Sequence, residues 1–576
     1  MVEYLRQEKY RRVFAMKNHY QLLKDVLFKQ MGNYIAGHRM FMSPDQEALY
    51  QKAVTGVRDG MYPGQYSIYF VLAYYTEGSK YYRDEAMLEY AYESLCMYEQ
   101  FIHEDGSVDL AVTNFHDPAQ TGFHSQAIFP QAAIIERYTR HTPLEDKLFA
   151  KYLELMERMG EAMATLGFHT PNHRWIISSG LACAYYFTKN PKFKEAIDRF
   201  LMEGIDCDEY GEYTERSTGS YNCCCDFSFC IMAEFLKNED FYDPPRRNLN
   251  LMYKFIEPDN TVNTLNSTRW DMGGEYSITK YYPYYLILML HDENPEFAYT
   301  VESLREDYFA KSCQHYFYLL TYHLLHPEAE AVYDRIVPKA PPKDQSIFLP
   351  NSRIARIYKP ELNATITALC ARHPVFCQIN YGSAILQLRY TASFFGDPHS
   401  TFRPRTIVPT EDGFRLISEE KAGYRSMLDD KPETSNWRRM DHSKRDTINV
   451  QTLHRVVDIH ILEDGIRVDM TADGCDRVPT KLEITVPPQG KLLTDSMYMV
   501  PKAGCYSYLA KGNAKYFLNG NRYFDIEGGF CEHTFGEQMR GSFPADAKKF
   551  TMALTAFTPQ KSTVTIRLKQ LAKPVE

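Results

Sequence analysis

Val337-Pro338-Lys339-Ala340-Pro341-Pro342-Lys343 is the stretch that divides this sequence. Proline fixes φ and has no backbone N–H, so a run this rich in it reads as a linker rather than as helix or central strand. The hydrophobic period also changes across it. Upstream, apolar residues recur at helical spacing; downstream, they alternate.

On the upstream side, 83–102 carries Met87, Leu88, Tyr90, Ala91, Leu95 and Tyr98 near one helical face. Residues 143–166 form another amphipathic stretch, opened by Thr142-Pro143 in the cap and first-turn positions. Residues 174–188 are nearly all apolar, as an inner helix would be, and 191–205 follows after Lys189-Asn190. Further helices are expected over 227–236 and 299–325. Helix, short break, helix, polar loop is the recurring unit, which predicts stacked helical hairpins without a strict sequence repeat.

Downstream, 455–458 and 460–462 lead into Glu463-Asp464-Gly465, a hairpin turn, and Ile466-Arg467-Val468-Asp469-Met470 then alternates. Residues 481–486, 551–557 and 562–568 alternate too, and Asn519-Gly520-Asn521 is a second turn signal. Many short strands between turns predict an antiparallel β-sandwich. The domains are therefore expected at 1–335 (α) and 351–576 (β), with 336–350 as the linker.

The totals agree with a multidomain globular protein. At 576 residues, the length prior is two to four domains. A net charge of -9 with no dominant basic stripe argues against a nucleic-acid partner. Tyrosine is abundant, 44 against 3 tryptophans, and its apolar face and hydroxyl suit a wet, sugar-lined cleft as well as helix packing. Cys223-Cys224-Cys225 with Cys230 lacks zinc-site spacing, and buried free thiols predict a reducing compartment. The start has no apolar signal core and no stretch reaches membrane-span length, so a cytoplasmic protein with no membrane partner is expected.

Four polar clusters could carry chemistry. The densest is Asp208-Glu209-Tyr210-Gly211-Glu212-Tyr213-Thr214-Glu215-Arg216-Ser217-Thr218-Gly219-Ser220-Tyr221-Asn222, a glycine-containing loop leading into an apolar helix. A tyrosine near a cation can take a proton from a carbon acid or give one to a leaving oxygen. The plainer reading of Tyr221 is a helix-capping tyrosine. About forty residues earlier stands Thr170-Pro171-Asn172-His173-Arg174-Trp175. Asn172 beside His173 could grip a carboxylate, or Asn172 could be an N-cap. Asn114-Phe115-His116-Asp117-Pro118 with His124 is the third cluster, in which His116 and His124 could meet sugar hydroxyls or simply hold a loop. The fourth, Arg269-Trp270-Asp271-Met272-Gly273-Gly274-Glu275-Tyr276, offers Trp270 for stacking on a sugar ring.

Asn172-His173 and Glu215-Arg216-Ser217-x-x-x-Tyr221 resemble the motifs of heparinase II/III-like polysaccharide lyases and their oligo-alginate lyase relatives. One residue more than in that family separates Ser217 from Tyr221, so Tyr213 is the alternative to it. The resemblance implies an incomplete α/α toroid followed by an antiparallel β-sandwich, and β-elimination at a uronic acid to give a 4,5-unsaturated product. It implies that Asn172 binds the C6 carboxylate and that His173 neutralises it or acts as base. Tyr221 would be the acid, or both base and acid. Arg216 would hold the carboxylate or activate the tyrosine, with Glu215 beside it at the substrate. A sandwich histidine is implied too, and His399, in Phe394-Phe395-Gly396-Asp397-Pro398-His399-Ser400, is the candidate. No cofactor is expected. The one spacing for a structural metal in the sandwich is Cys370-x-x-His373 with Cys377. The expected partner is an acidic oligo- or polysaccharide, with homo-oligomerisation left open. Two other readings compete: a glycoside hydrolase using two of Asp208, Glu212, Glu215 and Asp271, and a non-catalytic glycan-binding protein.

Overall fold

The structure, a computed structural model, describes residues 18–43, 61–138, 142–311, 313–360, 362–368, 374–382, 384–518, 520–536, 539–541, 544 and 546–572. It divides into two compact units: Met1–Tyr253 with Ser267–Pro341, and Lys254–Asn266 with Pro342–Glu576. The first is helical and the second is built of antiparallel sheet. Lys254–Asn266 lies within the span read from sequence as helical, yet it belongs to the sheet unit.

In the helical unit, His19–Phe41, Met61–Tyr75, Glu85–Glu99, Pro143–Thr165, Pro171–Thr188, Tyr221–Leu236, Tyr282–Asp292 and Tyr316–Leu325 pack each on the next, and the last returns to the first. That is the arrangement of an α/α toroid. Pro118–Ile128, buried on most faces, packs against three of these helices. The helix starts follow local chemistry. Thr142 accepts from Glu145 N while the Glu145 side chain accepts from Thr142 N, closing a capping box. Lys189 ends Pro171–Thr188 in the left-handed region, and Asn190 then caps Pro191–Met202. The expected helix over 299–325 is two helices, Pro295–Lys311 and Tyr316–Leu325, broken where Cys313 and His315 take positive φ. Among the described residues, no helix is long and apolar enough to cross a membrane, and no cysteine is in a disulfide.

Two histidines of this unit, His323 buried and His315 partly buried, are held neutral. His315 faces Tyr284 Oη at 2.6 Å and His323 faces Tyr333 Oη at 3.1 Å. Burial, helped by Lys280, pushes His315 down to about 4; burial, helped by His19, pushes His323 down to about 3. Both stay neutral in the fold while the unfolded chain takes up protons below its ordinary histidine pKa of about 6.5. Their stabilisation is therefore complete above about pH 6.5 and is lost as pH falls towards 4. Two such sites predict a slope of about 2–3 kcal/mol per pH unit near pH 5. Denaturant melts from pH 7 to 4.5 measure it, and His315→Phe should remove about half of it. An unchanged slope would place the acid sensitivity elsewhere.

Among the described residues, the sheet unit holds a nine-stranded and an eight-stranded sheet. The middle of the first runs Lys511–Phe517, Arg522–Phe530, Gln560–Gln570, Gly465–Asp473, Thr447–Ile461, Gly413–Arg425; that of the second runs Phe550–Phe557, Pro479–Val486, Ala384–Ala392, Val375–Tyr381, Asn363–Thr367, Ile354–Tyr358. Leu416, Val457, Val468 and Ile566 from one sheet share a core with Ile366, Leu388, Ile484 and Met552 from the other, so the two form a sandwich. The hairpin read at Glu463-Asp464-Gly465 is present, with Ile461 opposite Ile466. Asn519 of the second turn signal lies outside the described residues.

Lys254–Asn266 is tied to this sandwich by a buried ion pair. Arg356 Nη1 donates to Glu257 Oε1 at 3.0 Å, and Arg356 Nε donates to the Lys254 carbonyl at 3.1 Å. Asn263 Nδ2 reaches both Glu257 Oε1 (2.8 Å) and Thr365 Oγ1 (2.9 Å). Arg356 is fully buried and Glu257 is 3% exposed.

Candidate active site

The loop read as the densest polar cluster is fixed by one carboxylate. Asp271, fully buried, accepts from Ser217 Oγ (2.9 Å), Gly219 N (2.9 Å) and Ser267 Oγ (2.5 Å). Ser217 Oγ in turn accepts from Tyr221 N at 3.0 Å. Tyr281 Oη and Lys280 Nζ hold the carbonyls of Thr218 and Gly219 at 2.6 and 3.0 Å. Gly219 has no room for a side chain, since a Cβ there would lie 2.5 Å from the Tyr276 ring. Arg216 turns the loop with φ of 51°. Asp208 Oδ1 accepts from Tyr210 N and Glu212 N, so Asp208 and Asp271, two of the carboxylates open to a hydrolase, are engaged in holding the loop, Asp271 through two serine hydroxyls and one backbone N–H.

Tyr221 opens helix Tyr221–Leu236, whose cap residue Ser220 makes no side-chain cap bond. Its hydroxyl accepts from Trp270 Nε1 at 2.8 Å, which leaves the phenol proton available for transfer. The Arg269 guanidinium lies 5.4 Å from the centre of the Tyr221 ring. Arg269 thus stands over this tyrosine. Trp270 is 65% exposed and crosses Tyr276 edge-on at 5.7 Å, an open platform beside the Tyr221 hydroxyl.

Asn172 and His173 fall in the first turn of Pro171–Thr188, which packs directly on Tyr221–Leu236. The cap position belongs to Thr170, so Asn172 is not the N-cap. Asn172 is buried; its Nδ2 donates to Glu215 Oε2 at 2.5 Å, and its Oδ1 has no hydrogen-bond partner. Glu215 is buried as well, so it positions Asn172 and does not stand open to a sugar. Burial raises the Glu215 pKa against the lowering effects of Asn172 and Arg269. Arg269 Nε is 3.9 Å from Glu215 Oε1, an ion pair too long for a hydrogen bond.

His173 is half-buried and lies edge-on to His169 at 4.7 Å. Burial, His169 and Arg269 together push it down to about 4, with Asp117 opposing. It is therefore neutral near pH 7 in the free protein and able to accept a proton.

Other expected site residues are placed differently. Tyr213 is 2% exposed and donates to Asp226 Oδ1 at 3.0 Å, so this alternative to Tyr221 is a core residue. Burial and then Asp226 push its pKa well up. His124 is 1% exposed, with Nδ1 at Tyr98 Oη and Nε2 at Gln120 Nε2, both 2.9 Å; its ring is enclosed by protein. His116 is exposed and pairs through Nδ1 with Asp105 at 2.7 Å while stacking on His103. His399 belongs to the sheet unit. Its Nδ1 is 2.7 Å from Glu420 Oε2, and it lines a cavity of about 500 Å³ with Arg405, Glu419 and Lys421. Arg455, fully buried, donates to the carbonyls of His399, Ser400 and Thr401 and so fixes that loop.

Among the described residues, no group of three or more His, Cys, Asp or Glu is arranged to hold a metal. Cys370 and His373 lie outside them, and Cys377 is buried in strand Val375–Tyr381. Arg269 and His169 were not singled out from the sequence. Arg269 stood in view beside Trp270, but its partners Tyr221 and Glu215 are about fifty residues away and no local pattern joins them.

No family model matches this chain. No curated protein matches it in sequence. Among solved structures it is similar to a heparan sulfate lyase HepC mutant from Pedobacter heparinus, at 11% identity and a TM-score of 0.51, over 90% of this chain and 78% of that one. It is also similar to a Paenibacillus xanthan lyase, at 10% identity and a TM-score of 0.54, over 95% of this chain and 57% of that one. At such identities the likeness is one of fold: the chain has the two-part fold of polysaccharide lyases, a helical toroid followed by an antiparallel β-sandwich.

Proposed function

We propose that the protein is a polysaccharide or oligosaccharide lyase that cleaves a uronate-containing glycan by β-elimination, leaving a 4,5-unsaturated uronate. The observation that carries this reading is Arg269. It stands over Tyr221, approaches the Glu215 that holds Asn172, and depresses His173, joining the two helix heads in one place. It supplies the positive charge a uronate carboxylate needs, and Asn172 adds an amide. Drawing charge off that carboxylate acidifies the C5 proton.

Neutral His173 accepts the C5 proton, or Tyr221 does so after losing its own; both assignments use groups at the right helix ends. The electron pair from C5–H forms the C4–C5 double bond, the C4–O bond breaks, and Tyr221 gives its proton to the departing oxygen. Trp270 is placed to stack on a neighbouring ring. These residues suffice for the steps assigned, and His399 is given none.

The test is an ultraviolet screen against a panel of acidic glycans. The expected product absorbs near the ultraviolet edge through its new double bond and carries a new reducing end. New reducing ends without that absorbance would mean hydrolysis. Binding without either would mean a glycan-binding protein.

A further inference from the structure

Helix Pro118–Ile128 carries a buried amide to which the elimination assigns no step. Gln126 is 3% exposed, and its side-chain oxygen accepts from Ser179 Oγ at 3.0 Å and from Ser228 Oγ at 3.1 Å. Ser179 belongs to Pro171–Thr188 and Ser228 to Tyr221–Leu236, the two helices whose first turns carry Asn172, His173 and Tyr221. Both serines are fully buried. One amide thus joins three helices. Turned over, it makes the same bridge: its two N–H groups donate to the serine oxygens, while the hydroxyl protons go to the carbonyls of Ile176 and Cys224, 2.8 and 2.9 Å away.

The bridge sits at matching depth on the two site helices. Ser179 stands seven residues after Asn172, and Ser228 seven after Tyr221. That is two turns, or about 10 Å, below each helix head. Pro118–Ile128 runs parallel to Pro171–Thr188 and close against it. A Cβ on Gly122 would meet Ile176 at 3.1 Å and one on Gly180 would meet Ser125 at 3.0 Å, so the contacts advance together along both helices. Adjoining positions on the three helices, Ile128, Ile176, Leu181, Phe227 and Phe229, are buried and apolar. An apolar side chain at 126 would need no partner there, whereas a buried amide is costly unless bonded. A bonded one fixes a single register between helices that apolar packing alone leaves free to slide.

We propose that Gln126 is a positioning residue for the elimination: it fixes the distance between the helix head that carries Asn172 and His173 and the head that carries Tyr221. It acts through Ser179 and Ser228 and is given no contact with the substrate. The proposal rests on the lyase reading above and adds to it what keeps the carboxylate-binding and proton-transferring groups in step. Proton transfer needs heavy atoms within about 3 Å, and a displacement of about 1 Å costs up to ~10²-fold in rate.

The experiment compares Gln126→Met with Gln131→Met in the full chain. Gln131 is a second buried glutamine; it donates to the Ala127 carbonyl at 3.4 Å and accepts from Thr321 Oγ1 at 3.2 Å, on a helix that carries none of the proposed site residues. Methionine is close to glutamine in length and volume, and Ser179 and Ser228 keep their helix carbonyls, so both variants should melt close to wild type. On a glycan that yields unsaturated product, Gln126→Met should lower kcat by about 10–100-fold, with a smaller change in KM, while Gln131→Met keeps the wild-type kcat. Ser228→Ala, which leaves the glutamine in place, should also lower kcat, and adding it to Gln126→Met should cost nothing further because both cut one link. A wild-type kcat in Gln126→Met overturns the proposal. So does an equal loss in Gln131→Met, which would make the effect one of core packing. A second readout needs no turnover. The His173 imidazole, held down to about 4, is followed by NMR and recognised by its loss in His173→Ala. Its titration should move towards the ordinary histidine value of about 6.5 in Gln126→Met and not in Gln131→Met. Where product forms, kcat decides; where none forms, the titration decides. A shifted titration without product would sink the lyase reading and leave the bridge standing, whereas product with an unchanged kcat would do the reverse.

Discussion

Tyr221→Phe is expected to lower kcat on an acidic glycan by about 10²–10⁴-fold, the usual worth of a positioned acid or base. The change removes one oxygen and keeps the ring beneath Arg269. The folded state loses the hydrogen bond from Trp270, itself 65% exposed, so stability should fall by no more than about 1 kcal/mol. KM should move little, because Arg269, Asn172 and the Trp270 ring remain. Product absorbance against time reads kcat, and a thermal melt verifies the fold. His173→Ala completes the argument. If His173 is the base, both variants lose rate to a similar degree; if Tyr221 serves as base and acid, His173→Ala keeps most of it. Full rate in both would remove the site from this place.

Glu257→Ala should destabilise the sheet unit by about 3–5 kcal/mol, the cost of leaving a buried charge without its partner. Arg356 is fully buried, and no other carboxylate among its described contacts replaces Glu257. For a unit of this size, the melting temperature should fall by about 10 °C. Replacing both charges, Arg356→Met with Glu257→Leu, should recover much of the loss, since apolar packing often equals a buried pair. A single variant that melts within a degree of wild type would show the pair to be redundant.

The sheet register was legible because one buried face imposes a period of two: shifting Ile461 from Ile466 by one residue would turn a core side chain to solvent. Thr142 announced its helix through a bond three residues long. The site was legible only in outline. Tyr213 and Tyr221 share one loop and one chemistry, and burial alone separates them, through Asp226 on one side and Trp270 on the other. His124 looked like a cleft residue, yet its helix turns that face to Tyr98. Arg269 and Glu257 both act through partners far away in the chain, which no local periodicity encodes.

Lys254–Asn266 has a consequence for biosynthesis. Glu257 leaves the ribosome ninety-nine residues ahead of Arg356 and must stay hydrated until the sandwich strands emerge. A fragment beginning at Pro342 would carry Arg356 into its interior with no counter-ion, while the complementary fragment would carry Glu257 with nothing to pair. No single scission yields two self-sufficient pieces. The proline-rich seam near 340 is a boundary in composition, and the chain has already crossed the boundary in the fold twice before reaching it.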